Sequence, residues 1–156
     1  MNAERYVILD LMMNLSCPRF CSLTILGEPR SKARPRMGKN GRFYAPNSDD
    51  QDAVAWSMKA VSPYAEPFTE PVALACIFYR STHRRFDLDN AVKLCMDAGT
   101  QILWADDSLV TAQTAILEYD PTNPRTIIAF GPRLDPPTPP EGGARSDVQS
   151  ILRIVE

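Results

Sequence analysis

A chain of 156 residues that is 44% hydrophobic can bury one domain-sized core and is too apolar to be disordered. A net charge of −2 excludes a uniformly basic nucleic-acid binder. No stretch approaches the roughly 18 uninterrupted apolar residues that a membrane helix needs, so no membrane partner is expected. Glu4 and Asp10 interrupt the N-terminal apolar run, which argues against a secretory signal and makes the cytoplasm the expected location. Cys17, Cys21, Cys76 and Cys95 fall at irregular spacing with a single histidine, His83, so idle reduced thiols are expected ahead of a zinc site.

Residues 1–20 form an N-terminal extension whose apolar part, Tyr6 to Leu15, suits a short helix or a strand equally. It could also be loosely attached. Cys21–Leu26 alternates and is rich in β-favouring residues, which predicts the first strand. Gly27 to Pro46 then carries three prolines and three glycines, and reads as a long loop or irregular ribbon. Arg30, Lys32, Arg34, Arg36, Lys39 and Arg42 lie in residues 29–48 without a single acidic residue. Such a local basic surface attracts phosphate even on a slightly acidic protein.

Ser48-Asp-Asp-Gln51 has the pattern of a helix start with a capping box. Val54, Met58 and Val61 follow on one face, and Pro63 predicts the end of that helix. Pro71–Arg80 is a continuous apolar run of strand length, expected at the centre of a sheet. A second helix is predicted from Asp87 to about Trp104, with Leu88, Ala91, Cys95, Ala98 and Ile102 recurring at three and four; Gly99 lies awkwardly inside it, at about 1 kcal/mol relative to alanine. Asp106-Asp107-Ser108 reads as a turn, Leu109–Tyr119 as a strand, and Thr126–Phe130 as a last strand paired with its predecessor in a hairpin. After Gly131, six prolines and glycines within residues 136–143 mark a tail over residues 132–156, with a possible short helix from Ser146. The fold class expected is α+β: a single small domain over residues 21–131, with a mixed sheet of about four strands and two main helices.

The densest chemistry is Arg84-Arg-Phe-Asp87-Leu-Asp89-Asn-Ala-Val-Lys93, followed by Asp106 and Asp107. A bare Asp-X-Asp most often marks simple acidity at a helix start, where the dipole favours it. Here Asp89 and Lys93 share a helix face at i, i+4, Asp97 continues the stripe, and Arg84 and Arg85 stand beside the carboxylates. Paired carboxylates suit a magnesium ion, and a lysine suits the charge that develops on a phosphodiester in transit. An Asp-X-Asp also serves nucleotide-sugar transferases, but those usually need a larger chain.

The residues Asp87-Leu-Asp-Asn-Ala-Val-Lys93, then Asp97-Ala, then Leu103-Trp-Ala-Asp-Asp-Ser-Leu-Val110 resemble the RusA-type Holliday junction resolvases. Gly27-Glu-Pro-Arg-Ser-Lys-Ala-Arg-Pro-Arg36 and Gly41-Arg-Phe-Tyr-Ala-Pro46 resemble the basic loop of phage-type members. The likeness covers about residues 21–130. It implies a homodimeric, magnesium-dependent endonuclease, with manganese able to substitute, that nicks opposed strands of four-way branched DNA. It further implies metal ligation by Asp87, Asp89 and Asp107 with Asp106 in support, and catalysis by Asp87, Asp89 and Asp107 with Lys93; the basic clusters, Arg30, Lys32, Arg34, Arg36, Lys39, Arg42, Arg84 and Arg85, are expected to contact the DNA. Phe86 departs from the pattern, standing where proline or a basic residue is expected, and Gly99-Thr100 replaces more helical residues. A DNA-binding accessory without catalysis is the main competing expectation.

Overall fold

The computed structural model describes residues 3–32, 36–44 and 48–134. Most of the proline-rich tail, its possible terminal helix and Arg34 lie outside the described residues. Among the described residues three helices, α1 (Ala3–Asn14), α2 (Ser48–Val61) and α3 (Leu88–Gly99), accompany six strands: β1 (Cys21–Leu26), β2 (Arg36–Met37), β3 (Phe43–Tyr44), β4 (Val72–Arg80), β5 (Val110–Tyr119) and β6 (Arg125–Pro132). The main sheet runs in the order β1-β6-β4-β5, and β2 and β3 form a separate antiparallel ribbon. β4 and β5 are parallel and joined by α3, a βαβ unit, while β6 is antiparallel to both of its neighbours. This is the α+β class and the mixed four-stranded sheet expected.

The apolar run of β4 follows from burial on both faces, Val72 through Phe78 being buried. Its even-numbered residues, Val72, Leu74, Cys76 and Phe78, pack with Ile128 and Phe130 beneath α2 and α3. Its odd-numbered residues, Ala73, Ala75 and Ile77, pack with Ile127 and Ala129 beneath α1, whose Ile8 and Met12 close the second face. The N-terminal segment is therefore a packed helix rather than a loosely attached one, with Met12 and Cys17 fully buried. Arg125 pins it: its guanidinium pairs with Glu4 and, at 2.7 Å, with Asp120, and lies 3.8 Å from the Tyr79 ring.

Three expectations are corrected. The last two strands do not form a hairpin, because β6 sits between β1 and β4 and β5 is an edge strand. Their side chains explain the choice: Arg125–Gly131 is buried throughout, as an interior strand requires, whereas β5 keeps half its positions in contact with water. The connection from Asp120 to Pro124 needs only to step over the end of β4, about 10 Å for two strand spacings. It is fastened there, with the Asp120 N–H donating to the Arg80 carbonyl (2.8 Å) and the Asp120 carboxylate accepting from the Thr122 and Asn123 N–H groups.

The second correction concerns α3, which stops at Gly99 rather than near Trp104. A β-carbon on Gly99 would lie 2.3 Å from the Trp104 indole. The chain instead turns back through Gln101, at φ +69°, so that Trp104 folds under the helix and donates from Nε1 to the Met96 carbonyl (3.2 Å). Glycine is there to admit the indole, and Trp104 becomes the largest fully buried side chain. Third, Val61 leaves the buried stripe of α2: it is exposed, and Met58 marks the end of the apolar contact.

Among the described residues no helix is long and apolar enough to cross a membrane. All four cysteines are free. Burial pushes the Cys17 and Cys21 thiols up to about 11, which keeps them protonated and unreactive near neutral pH.

Candidate active site

α3 is placed by its own first turn. Asp87 is the N-cap, its carboxylate accepting from the Asn90 backbone N–H (3.1 Å) and from the Asn90 side-chain amide (2.8 Å). Asn90 thus orients the first aspartate. Phe86, the residue that departs from the family pattern, packs against Phe78 with ring centroids 5.7 Å apart, and the Arg80 guanidinium lies 4.7 Å from its ring. It anchors the entry to α3 in the core. Arg80 is itself held by Glu28 (2.8 Å) and donates to the Arg84 carbonyl (3.0 Å), so the loop carrying Arg84 and Arg85 is braced from beneath. The Glu28 carboxylate is held below the usual range: burial works against ionisation, but hydrogen bonds from Ser81 and Arg80 outweigh it.

One turn into α3, Asp89 and Lys93 face β5 across a groove of about 360 Å³ floored by Gln113, Thr114 and Ala115. Lys93 Nζ donates to Asp107 (2.6 Å) and to Asp97 (2.9 Å). These two hydrogen bonds, Asp107's first, raise the Lys93 pKa and hold it protonated. Asp97 also receives the ammonium of Lys32, whose backbone N–H donates to the Asn90 carbonyl. Burial pushes the Asp97 carboxyl up, but Lys32 and Lys93 together hold it below the ordinary carboxylate value. The result is a row of alternating charge, Lys32, Asp97, Lys93 and Asp107, that stitches the basic loop, α3 and the 3-10 turn Asp107–Leu109 to one another.

Asp97 is the hub that the sequence reading left out of the site. Its i, i+4 relation to Lys93 was visible; its pairing with Lys32 was not, because the two are 65 residues apart. Asp106 caps the 3-10 turn through the Ser108 N–H (2.9 Å), and the Ser108 hydrogen bonds lower its pKa. Arg30, Arg36, Lys39, Arg42, Arg84 and Arg85 are exposed. Lys32 is committed to Asp97 instead, with 38% of its side chain open to solvent.

The chain matches the family model of Endodeoxyribonuclease RusA over residues 27–130. It belongs to the RusA endodeoxyribonuclease family. No curated protein matches it. The RusA match spans the basic loop, α2, β4, α3 and β5, and so takes in every residue of the groove; α1 and all of β1 fall before it. Membership implies an endodeoxyribonuclease of the kind that resolves Holliday junctions. RusA resolvases generally use a divalent metal. Yet among the described residues no three acidic, histidine or cysteine side chains gather as a cage for an ion. Asp87 is occupied by Asn90 and Asp107 by Lys93, while Asp89 opens onto the groove. Asp87, Asp89 and Asp107, with Asp106 in support, are the carboxylates that would hold an ion, with no cage gathered beforehand among the described residues.

Proposed function

We propose that this chain is a structure-specific endodeoxyribonuclease that resolves four-way DNA junctions by paired nicking, in recombination and repair, acting in the cytoplasm as a homodimer. The observation that carries the reading is the Lys93 ammonium, held protonated by Asp107 and Asp97 and standing beside Asp89 on one wall of an open groove. A fixed ammonium beside a strand-sized groove suits a phosphodiester, whose non-bridging oxygens gain charge as the bond is cut. Lys93 binds and orients the phosphate in this reading. Asp89 faces it, Asp87 directs its carboxylate from the helix start, and Asp107 fixes the lysine. Arg84, Arg85, Arg30, Arg36, Lys39 and Arg42 attract the DNA backbone and set its register without reading bases.

Dependence on magnesium, with manganese substituting, enters through the family and not through the arrangement of the carboxylates. Two-fold symmetry suits the substrate, because a four-way junction presents two equivalent strands and a dimer can place one groove on each.

The test is a synthetic four-way junction, labelled on each strand in turn and incubated with and without magnesium. Two symmetric nicks that need the ion, with linear duplex left intact, are expected. Binding without cleavage at every magnesium and manganese concentration would favour a non-catalytic accessory protein instead.

A further inference from the structure

The groove beside Lys93 does not end at the start of α3. Parallel pairing sets Ala115 opposite Cys76, Leu117 opposite Phe78 and Tyr119 opposite Arg80. All three β5 residues therefore project from the same face of the sheet, at steps of about 7 Å. Ala115 floors the groove. Leu117 and Tyr119 continue the same line past the helix start into a second hollow of about 310 Å³, walled by Thr82, His83 and Arg84. Tyr119 is 48% exposed and Leu117 44%. The His83 imidazole stacks on the Tyr119 ring, with centroids 3.9 Å apart and planes 27° apart. A stacked aromatic pair thus stands at the surface, beside an exposed arginine, in line with the groove.

We propose that this hollow is a nucleobase subsite: the His83–Tyr119 stack receives one unstacked base of the DNA strand whose backbone lies along the Asp89–Lys93 groove, while Arg84 meets the adjoining phosphate. The inference rests on the endonuclease reading above and extends it. Base-on-aromatic stacking tolerates any base, because every base offers a π-face, and it favours strands that are already unpaired. Glu118 also borders the hollow, and a carboxylate there disfavours a bare phosphate as the occupant. The subsite gives the enzyme a reason to prefer branched over linear DNA, since continuous duplex keeps its bases stacked and paired.

The test uses the full chain and a four-way junction with a single unpaired 2-aminopurine at the crossover, in chelator so that no strand is cut. Stacking predicts strong quenching of the 2-aminopurine signal on binding. His83→Ala and Tyr119→Ala should each weaken junction binding about 10-fold and relieve the quenching, on the scale of one lost base stack. Linear duplex affinity should change less than about two-fold, because continuous duplex offers the pair no unstacked base. Tyr119→Phe should keep both signals, because the ring and not the hydroxyl does the stacking. Unchanged quenching and affinity in Tyr119→Ala, or equal losses on linear duplex, would overturn the subsite while leaving wild-type nicking to judge the endonuclease reading. A wild-type chain that neither binds nor nicks the junction would remove both.

Discussion

The two faces of the main sheet are built for different work. Beneath α1 the sheet carries small residues, Ala73, Ala75 and Ala129, so the helix lies close and the face is sealed, with Arg125 tied to Glu4 and Asp120 at its rim. Beneath α2 and α3 it carries Phe78 and Phe130, the latter edge-on to Trp104 from the turn after α3, and the groove lies open between α3 and β5. Charge is used differently as well: on the first face an ion-pair set locks a helix in place, while on the second the row from Lys32 to Asp107 holds a cation where a phosphate can reach it.

Substitutions on the two faces should separate fold from chemistry. The largest effect is expected from Asp87→Asn and Lys93→Met, each of which should cut junction nicking by at least about 100-fold, close to 3 kcal/mol in the barrier. The melting temperature should fall by no more than Asp97→Asn lowers it, because an asparagine in place of Asp87 still caps α3 and the Lys93 pairs are open to solvent; nicking at the wild-type rate would remove these residues from the chemistry. Gly99→Ala attacks the seat of Trp104. With Trp104 carbon atoms 2.3 to 2.8 Å from the new β-carbon, overpacking of about 3 kcal/mol is expected in chemical unfolding, with lost nicking following from lost fold.

On the sealed face, Arg125→Met should cost about 2 kcal/mol by removing a buried guanidinium together with its ion pairs to Glu4 and Asp120, and leave the nicking rate of the folded fraction unchanged. A fall in that rate would mean that the faces communicate. The smallest effect belongs to Asp97→Asn, about 1 kcal/mol, since both of its lysine partners reach solvent. Its sign with pH is fixed. Asp97 is held below its ordinary pKa, so its contribution is present above that value and fades as the pH drops through the folded value, below about pH 4. The wild-type chain should therefore lose more stability than Asp97→Asn between pH 5 and 3, at about these bounds, measured by denaturant titration.

Much of the fold is legible in the residues. The unbroken apolar run of β4 announces an interior strand, and the spacing of Leu88, Ala91, Cys95 and Ala98 announces α3. The pairing of β6 does not follow from its sequence, because neighbouring strands usually pair and only the burial of all its side chains shows that it needs a partner on each edge. α1 is obscure for a different reason. Tyr6, Val7, Leu9 and Met13 are as apolar as the buried Ile8 and Met12 but face outward, so no stripe stands out. In the site, Asp87, Asp89 and Lys93 are readable because they lie within one helix. The Lys32–Asp97 link and the His83–Tyr119 stack are not, since each joins residues that only the folded chain brings near.

The central position of β6 also bears on how the chain reaches its native state. Cys21 waits for Phe130, 109 positions later, before its backbone is paired. Until residues 125–132 emerge during synthesis, β1 has no neighbour and β4 shows a long, apolar, unpaired edge. Such topology folds slowly and leaves growing chains open to association. Truncation before Arg125 should thus yield not a smaller domain but an aggregating one, and the final strand acts as the wedge that closes the sheet.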